Sequence, residues 1–519
     1  MLRLLTRRRD LLRRQTREGA INLKAGLEKV SSRRRRKKSG PGRPRAATSD
    51  RLSGSTSISA GAGPRRDLIL FGFLVLFPFL IYNANFRTIT TDDTLPNRFL
   101  PFGLLLDHSF YLDEWMKLRL KEPVGPNGLY FAAKSHDHWM SAYPIITPVL
   151  VTPLYVLPAW WLSRQSPSLY PVSASFFILV STIEKISASL IAALSVALLF
   201  LAFRKIASRN VSLVVALIYG LTGNTWAISS QALWRHGLTE LSFALLLWAL
   251  FRVSDLRSAP FWAGLALSAA TTNKPLEALL IIPFLFYFGR RGWKNFLLFM
   301  TPLVLLGSLV FAYNEYFFAR LLGGYPSPTL GGEGGTHFSF LARLGFGLLG
   351  LLISPSRGLL VYTPWTAFAL WGAVRAWREN SFGWSRPLIV ALAAIIMVQA
   401  CAGDWWGGWC FGPRYLTDLL PFFAWFVVLV WNNIRARRVL RWTFATTVAV
   451  ALWVQVVGAF YYPGGYWDRL PVSVDYEPER AWDWSDTQVM RSWRAGPARP
   501  ALLEAWENLL RARSGASHP

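Results

Sequence analysis

The chain has 519 residues, of which 52% are hydrophobic, 15% aromatic and 16% charged. Soluble proteins carry about 25% charged residues, so this composition excludes an ordinary soluble globular protein. The formal net charge of +27 is concentrated at one end, because residues 1–66 hold 20 Lys and Arg against 4 Asp and Glu. The two cysteines, Cys401 and Cys410, are too few for a thiolate metal centre.

Residues 1–66 are basic, rich in Ser, Gly and Pro towards their end, and include the run Arg33–Lys38. They lack the apolar density needed to fold. Such a run can indicate nucleic-acid binding or nuclear targeting, but a tail that holds the N-terminus inside and touches anionic lipid is the simpler interpretation. We expect a disordered cytoplasmic tail with no nucleic-acid partner. We expect no cleavable signal peptide, since the first apolar block begins only at Asp67.

Apolar blocks follow the basic tail, and most have the length that crosses about 30 Å of hydrocarbon. They predict an all-α polytopic membrane protein with about 11 transmembrane helices. Pro275 suits a break between two half-length helices. The predicted spans are 68–86, 176–203, 211–230, 237–252, 260–272, 275–289, 294–318, 359–376, 387–402, 416–432 and 440–460.

Residues 143–162 form a further apolar block that contains four prolines, Pro144, Pro148, Pro153 and Pro158. This density of prolines disfavours a continuous helix, so we predict an interfacial or re-entrant segment that does not cross. The positive-inside rule supports that choice. If 143–162 stays outside, every predicted inner loop is basic; if it crosses, all of those loops move outside. The N-terminus is then cytoplasmic and the C-terminus extracytoplasmic.

Three regions are predicted to lie outside. The transmembrane module covers 67–460, and its first outer loop, 87–175, is long. The other two outer regions are 319–358 and 403–415. The tail 461–519 is rich in Trp and charge and lacks a long apolar span. We therefore predict that it forms a small extracytoplasmic cap.

Two carboxylates, Asp92 and Asp93, lie a few residues past the first predicted span. At the outer membrane face they could orient a hydroxyl, act as a general base or hold a cation; an ordinary solvated loop is the alternative. The same loop carries a second acidic pair, Asp113-Glu114, and then His136–His138. A His-x-His pair can ligate a metal on an extended strand, but no third ligand is evident, so we predict no metal site.

Four cations lie near predicted outer ends of spans: Arg235, Lys274, Arg357 and Arg414. An ionisable residue at membrane depth is costly and is a functional candidate by default. Each one alone could instead extend its charged end to lipid headgroups. Four of them on the outer side oppose the positive-inside trend. Together they suit a lipid-linked phosphate, because Arg and Lys stabilise a phosphate leaving group.

The loop Gly403–Trp409 contains Trp405, Trp406 and Trp409, and Tyr415 follows it. Exposed Trp beside Gly can form a flat platform for a sugar or an apolar lipid chain. Anchoring at the membrane interface is the alternative.

Two pairs carry weaker signals. Cys401 and Cys410 bracket the Trp-rich loop and could form a disulfide in an oxidising space, or be two small buried apolar groups. Glu184-Lys185 lies within a predicted span, near its outer end. Adjacent residues do not share a helix face, so a structural role is favoured for that pair.

The acidic motif after the first span, the long outer loop with a Pro-rich interfacial stretch and about eleven spans together resemble the GT-C superfamily. These membrane glycosyltransferases use polyprenyl-phosphate sugars and include protein O-mannosyltransferases, which form glycosyltransferase family 39, and bacterial aminoarabinose transferases. Over roughly 67–490 the chain looks more narrowly like a bacterial branch of that superfamily. The segments that carry this likeness are Ser229–Gly237, Tyr313-Asn314 with Gly323–Tyr325, Ser354–Leu359 and Trp405–Tyr415.

The resemblance implies inverting transfer of a sugar from a polyprenyl-phosphate donor to an extracytoplasmic hydroxyl on a cell-envelope glycan, lipid or protein. A loop carboxylate would take the acceptor's proton as the lipid phosphate leaves; by position it is Asp93, with Asp92 as the alternative. The resemblance also implies the bacterial inner membrane and leaves a divalent cation open. The competing interpretations are a transporter or lipid flippase, although no internal repeat is evident, and a non-catalytic protein that binds lipid-linked sugar.

Overall fold

The described chain is mostly helical, with one two-stranded antiparallel sheet. Six of its helices are long and apolar enough to cross a bilayer, which confirms the coarse prediction of a helical membrane protein. Nearly all of the basic segment 1–66 lies outside the described residues, as does Tyr325. The computed structural model describes residues 64–119, 129–164, 174–324 and 340–514. The six helices are Arg65–Asn83, Ile146–Ser163, Ser175–Phe203, Trp293–Phe318, Arg414–Ala436 and Arg438–Phe460.

The described helices are numbered here in chain order. The first nine are α1 (Pro64–Asn83), α2 (Leu95–Phe102), α3 (Asp113–Arg119), α4 (Ile146–Ser163), α5 (Ala174–Phe203), α6 (Arg209–Thr222), α7 (Arg235–Leu250), α8 (Ala259–Asn273) and α9 (Ile281–Gly289). The next nine are α10 (Trp293–Phe318), α11 (Phe340–Ile353), α12 (Leu359–Tyr362), α13 (Thr366–Glu379), α14 (Ser385–Ala400), α15 (Leu420–Ala436), α16 (Arg438–Phe460), α17 (Gln488–Arg494) and α18 (Ala501–Ser514). The strands are β1 (Ala132–Ser135) and β2 (His138–Ser141), and short 3-10 turns at Asp92–Thr94, Pro275–Leu280 and Arg414–Leu419 lead into α2, α9 and α15.

Helices α1 and α5 run antiparallel and define the two ends of the bundle. At one end, Asp67 of α1 forms ion pairs with Arg204 (3.2 Å) and Arg209 (2.7 Å), just past the end of α5. At the other end of α1, the Asn83 amide donates to the Ser189 hydroxyl at 2.8 Å. We call these the basic end and the distal end. The residues of α5 that precede Ser189 extend about 22 Å beyond α1 on the distal side.

Helix α4 contradicts part of the prediction for 143–162. The segment contains one continuous helix with Pro153 and Pro158 inside it, so the expectation that its prolines exclude a continuous helix is wrong. Pro148 lies in the first turn, where the missing N–H has no helical partner to lose. Each interior proline costs roughly 3 kcal/mol. Burial of Val151 and Tyr155, among others, against α2 and α5 offsets that cost.

The packing partners of α4 lie at the distal end. Tyr155 meets Phe102 of α2 edge-to-face, with ring centroids 5.1 Å apart. The Thr147 hydroxyl donates to the Asn273 side chain at the end of α8, at 2.7 Å. Length and composition alone would let α4 cross a bilayer, but its buried face packs against α2 and the distal part of α5. Its other face is apolar and exposed, at Leu150, Leu154, Leu157 and Trp160.

The region 319–358, predicted to lie outside, contains helix α11. The 14 described residues of α11 are fewer than the roughly 20 of an ordinary span. The helix packs on the distal end of α14, where a Cβ at Gly347 would overlap the carbonyl of Ala400. A small residue at this crossing lets the two backbones approach closely.

The chain after α16 folds back over the distal end. The backbone N–H of Ala498 donates to the Phe460 carbonyl at 2.8 Å, and that of Leu502 donates to the Phe86 carbonyl at 2.9 Å. The Trp506 indole N–H donates to the Thr182 hydroxyl in the distal part of α5, at 2.9 Å. The C-terminal segment therefore lies beside the turn that follows α1.

We expect Gly372→Ile to destabilise the bundle by about 1–3 kcal/mol. Gly372 lies where α13 crosses α15, and a Cβ there would overlap the backbone carbonyl of Phe426, which cannot rotate away. Thermal unfolding in mild detergent measures the effect. Gly307→Ile in α10 is the matched control, because nothing lies within 4 Å of a Cβ at that position. Equal losses in the two variants would contradict the prediction.

Candidate functional site

Asp93 lies at the distal end, in the short turn Asp92–Thr94 that follows α1. Its Oδ1 accepts a hydrogen bond from the Tyr143 hydroxyl at 2.6 Å, and its Oδ2 forms an ion pair with Arg414. The Arg414 and Asp93 side chains expose only 12% and 13% of their surface. The ion pair joins residues that are 321 positions apart in the chain. Asp92 stands beside Asp93 and is partly buried.

Arg235, the first residue of α7, brings a second guanidinium to the same place. Its Cζ lies 4.4 Å from the ring centroid of Tyr143, the residue that donates to Asp93. The charge of Arg235 also acts directly on the Asp93 carboxylate. Two of the four predicted phosphate-binding cations thus surround one carboxylate.

Two aromatic rings also pack against Arg414. Its Cζ lies 5.3 Å from the ring centroid of Trp234 and 5.4 Å from that of Tyr415. The Tyr415 hydroxyl donates to Asp404 at 2.5 Å. Stacking over π faces leaves the guanidinium edge directed at oxygen acceptors, the arrangement in which Arg binds carboxylate or phosphate.

The charges around Asp93 keep its carboxyl ionised. Burial by itself raises the pKa of Asp93, but the charge of Arg414, the hydrogen bond from Tyr143 and the charge of Arg235 together hold that pKa below its ordinary value. Burial and the adjacent Asp93 carboxylate raise the pKa of Tyr143, so its hydroxyl stays protonated and keeps donating. An anion that competed for Arg414 would remove one of the charges that weaken Asp93 as a base.

A second charged cluster lies next to the first. Asp418 shares a hydrogen bond with His236 at 2.8 Å and forms an ion pair with Lys274. Asp418 is fully buried, and the two partners are nearly so. Arg414 and Asp418 lie four residues apart in one turn, and His236 directly follows Arg235. The backbone therefore couples the two clusters at two points.

Arg357, the fourth predicted phosphate-binding cation, lies apart from Asp93 and is fully buried. Its Nε donates to the Trp406 carbonyl at 2.7 Å, and its Nη2 donates to the Gly408 carbonyl at 3.0 Å and to Asp468 at 2.7 Å. Its Nη1 donates to the Ser356 carbonyl at 2.8 Å. These bonds use four of its five donors, so its geometry favours holding the Trp-rich loop to the C-terminal segment.

The Trp-rich loop does not present three exposed rings. Trp405 is buried, and its ring fills the space beside Gly350 of α11. Trp406 is partly buried and donates to Asp475 at 2.9 Å. Trp409 exposes 36% of its surface and donates to Ser473 at 3.0 Å. The predicted platform is therefore reduced to Trp409 and the edge of Trp406.

Cys401 and Cys410 are both free thiols and both buried. Of the two possibilities left open by the sequence, the structure therefore has the buried apolar groups. Burial raises the pKa of the Cys410 thiol, which keeps it uncharged.

The acidic and histidine motifs of the first outer loop pair with each other. His138 Nδ1 lies 2.6 Å from Asp113 Oδ2, and the Trp139 backbone N–H donates to the other oxygen of Asp113 at 2.7 Å. His136 lies 3.2 Å from the Ser135 hydroxyl at the tip of the β1–β2 hairpin. Within the described residues, no group of three or more His, Cys, Asp and Glu side chains is arranged to hold a metal ion.

We expect Arg357→Lys to lower the free energy of unfolding by about 1.5–3 kcal/mol. Lysine keeps the charge but cannot reach two carbonyls and the Asp468 carboxylate at once, because it lacks the planar fork. Chemical unfolding in mild detergent measures the loss. Arg469→Lys, at an exposed Arg stacked 4.2 Å from the Trp409 ring, is the control. A smaller loss for Arg357→Lys than for the control would contradict the structural role.

Three members of the two clusters were not predicted: Tyr143, His236 and Asp418. Tyr143 gave no signal, because an isolated Tyr in a Pro-rich apolar block resembles an interfacial anchor. His236 stands beside Arg235, and Asp418 follows Arg414 by one helical turn. A search for ionisable residues next to the predicted cations, or one helical turn away from them, would have found both.

The described fold, with its long apolar helices and a charged cluster at one end, defines a multi-pass helical membrane protein. No family model, curated protein or solved structure matches the chain. Function is therefore inferred from the distal cluster itself.

Proposed function

We propose that the chain is a membrane glycosyltransferase that moves a sugar from a polyprenyl-phosphate donor to an extracytoplasmic hydroxyl with inversion. The observation that carries the proposal is the convergence of Asp93, Tyr143, Arg235 and Arg414 at the distal end, directly after the first long apolar helix. A carboxylate for the acceptor proton and guanidinium groups for a leaving phosphate are the two requirements of this reaction.

The proposed topology has eleven crossings, with a cytoplasmic N-terminus, an extracytoplasmic C-terminus and α4 at the outer interface of a bacterial inner membrane. Asp67 pairs with Arg204 and Arg209 at the basic end, which supports a cytoplasmic location for that end. The packing of α4 against α2 and the distal part of α5 supports its interfacial position. The distal cluster then faces the outer leaflet, where lipid-linked sugars and envelope acceptors meet.

In the proposed reaction, the donor phosphate binds Arg414 and Arg235. Lys274, which pairs with Asp418 in the adjacent cluster, adds a further positive charge. Phosphate binding competes with Asp93 for Arg414, so the carboxylate becomes a stronger base. Asp93 takes the proton of the acceptor hydroxyl, whose oxygen bonds to the anomeric carbon of the sugar. The bond between that carbon and the phosphate oxygen breaks, and the lipid phosphate leaves with its electron pair held by the guanidinium groups.

The proposal is tested by mass spectrometry of cell-envelope glycans from a deletion strain. We expect one sugar modification to disappear, to return with the wild-type gene, and not to return with Asp93→Asn at equal protein level. An unchanged glycan profile in the deletion strain would overturn the proposal. Solute-dependent uptake into liposomes by the purified protein would favour a transporter instead.

A further inference from the structure

Two buried cations lie near the distal end; within the described residues, Arg87 has no acidic partner and Lys185 has only the adjacent Glu184. Arg87 follows α1 and exposes 8% of its surface, and Lys185 lies in the distal part of α5 and exposes 2%. Within the described residues, Lys185 makes one side-chain hydrogen bond, to Gln231 at 2.6 Å. The Nη1 of Arg87 is buried and has no hydrogen-bond partner in the part of the chain that the structure describes. The two positive charges are close enough to act on each other.

The acidic groups nearest to this cation pair are engaged elsewhere. Glu184 forms an ion pair with Arg98 at 3.2 Å and accepts from the Leu233 backbone N–H at 3.3 Å. Tyr462, whose side chain interacts electrostatically with Arg87, donates its hydroxyl hydrogen to Asp468 at 2.8 Å. Asp468 is in turn held by Arg357, as described above. Within the described residues, no carboxylate is therefore left for Arg87, and Lys185 shares Glu184 with Arg98.

Arg87 cannot become neutral by losing a proton, since a guanidinium stays charged in proteins. Buried charges in native proteins are paired, because an isolated one costs several kcal/mol of lost solvation. A buried guanidinium nitrogen without an acceptor thus indicates an external anion. Two positive charges, one of them on the forked guanidinium of Arg87, match the charge and geometry of a phosphate group.

We propose that Arg87 and Lys185 form a phosphate-binding site separate from the cluster at Asp93. The Trp234 side chain contacts residues of both regions: its indole N–H donates at 3.3 Å to the carbonyl of Ile89, two residues after Arg87, and Arg414 stacks on its ring. The C-terminal segment borders the new site, because Leu502 bonds to Phe86, the residue before Arg87. The site stands whether or not the chain transfers a sugar.

The phosphate can come from a lipid headgroup or from solution, and native mass spectrometry of the full-length protein separates the two sources. The lipid probe is phosphatidylglycerol in phosphatidylcholine nanodiscs, and the soluble probe is inorganic phosphate in pure phosphatidylcholine nanodiscs. We expect the wild type to retain one bound phosphate-containing molecule from one of these probes. The Arg87→Gln/Lys185→Gln variant should bind it roughly 10- to 100-fold more weakly.

Arg257→Gln/Lys294→Gln is the matched control, since it removes two exposed cations near the basic end. It should retain the bound molecule as the wild type does. If the double variant at the site fails to fold, Arg87→Lys replaces it and should bind several-fold more weakly, because one charge remains but the fork is lost. Retention of neither probe by the wild type, or equal retention by the site and control variants, would overturn the proposal.

Discussion

Asp93→Asn should lower the rate of sugar transfer by about 10²- to 10⁴-fold. Asparagine has the same shape and its Oδ1 still accepts the hydrogen bond from Tyr143, but it cannot take a proton from an acceptor hydroxyl. The variant also leaves the mostly buried Arg414 without its counter-charge. The measurement is transfer from a polyprenyl-phosphate sugar by purified protein, at matched protein concentration and with a matched unfolding midpoint.

Asp404→Asn is the control for Asp93→Asn, because it removes a carboxylate near the same cluster that bonds to Tyr415 and not to Arg414. We expect it to retain most of the activity. Asp92→Asn tests which of the two adjacent carboxylates is the general base. A larger loss for Asp92→Asn than for Asp93→Asn would show that the base is the first carboxylate and not the second.

Arg414→Gln should lower transfer by about 10²- to 10³-fold and move the acid limb of the pH–rate profile to higher pH. In the wild type, Arg414 is the strongest of the groups that hold the pKa of Asp93 below its ordinary value, against burial, which raises it. The carboxylate therefore stays charged until the pH falls below the ordinary carboxyl range. Without Arg414, burial raises the pKa, and activity is lost at a higher pH as the pH falls.

The measurement for Arg414→Gln is kcat/KM, which reports the free protein, across about pH 3 to pH 8, a range that spans the ordinary pKa of a carboxyl. Arg469→Gln removes an exposed guanidinium near the Trp-rich loop and should leave the acid limb in place. The double variant Arg414→Gln/Asp93→Asn should be slower than Asp93→Asn alone, because Arg414 also holds the leaving phosphate independently of its contact with Asp93. An acid limb that stays in place in Arg414→Gln would contradict the proposed role.

Most of the helices could be predicted because hydropathy reports directly on burial in lipid. The errors fell where the chain departs from the simple span. Helix α4 contains prolines that propensity alone counts as breaks, and burial of Val151 and Tyr155 offsets them. Helix α11 lies in the region 319–358, for which the sequence predicts only an outside location and no helix. Both helices owe their position to tertiary packing, which periodicity and propensity do not encode.

The sequence predicted several residues of the candidate site, but it did not predict which of them pair with each other. Charge at predicted span ends selected Asp93, Arg235, Lys274 and Arg414, and the structure brings these four into two adjacent clusters. The same criterion also selected Arg357, which instead binds carbonyls of the Trp-rich loop and Asp468. A buried Arg looks the same in sequence whether its acceptors are carbonyls or a ligand, because those acceptors come from distant segments.

By itself, the sequence determined that this is a helical membrane protein with a basic end, because the bilayer imposes length and composition on each apolar block. It also supplied the charged residues at the distal ends of the helices. Only the tertiary structure decided that Asp93 meets Arg414, 321 residues away, and that Arg87 and Lys185 lie together while the nearby Glu184 is paired with Arg98. Ion pairs form by proximity in space, and proximity between distant helix ends is a property of how the helices pack.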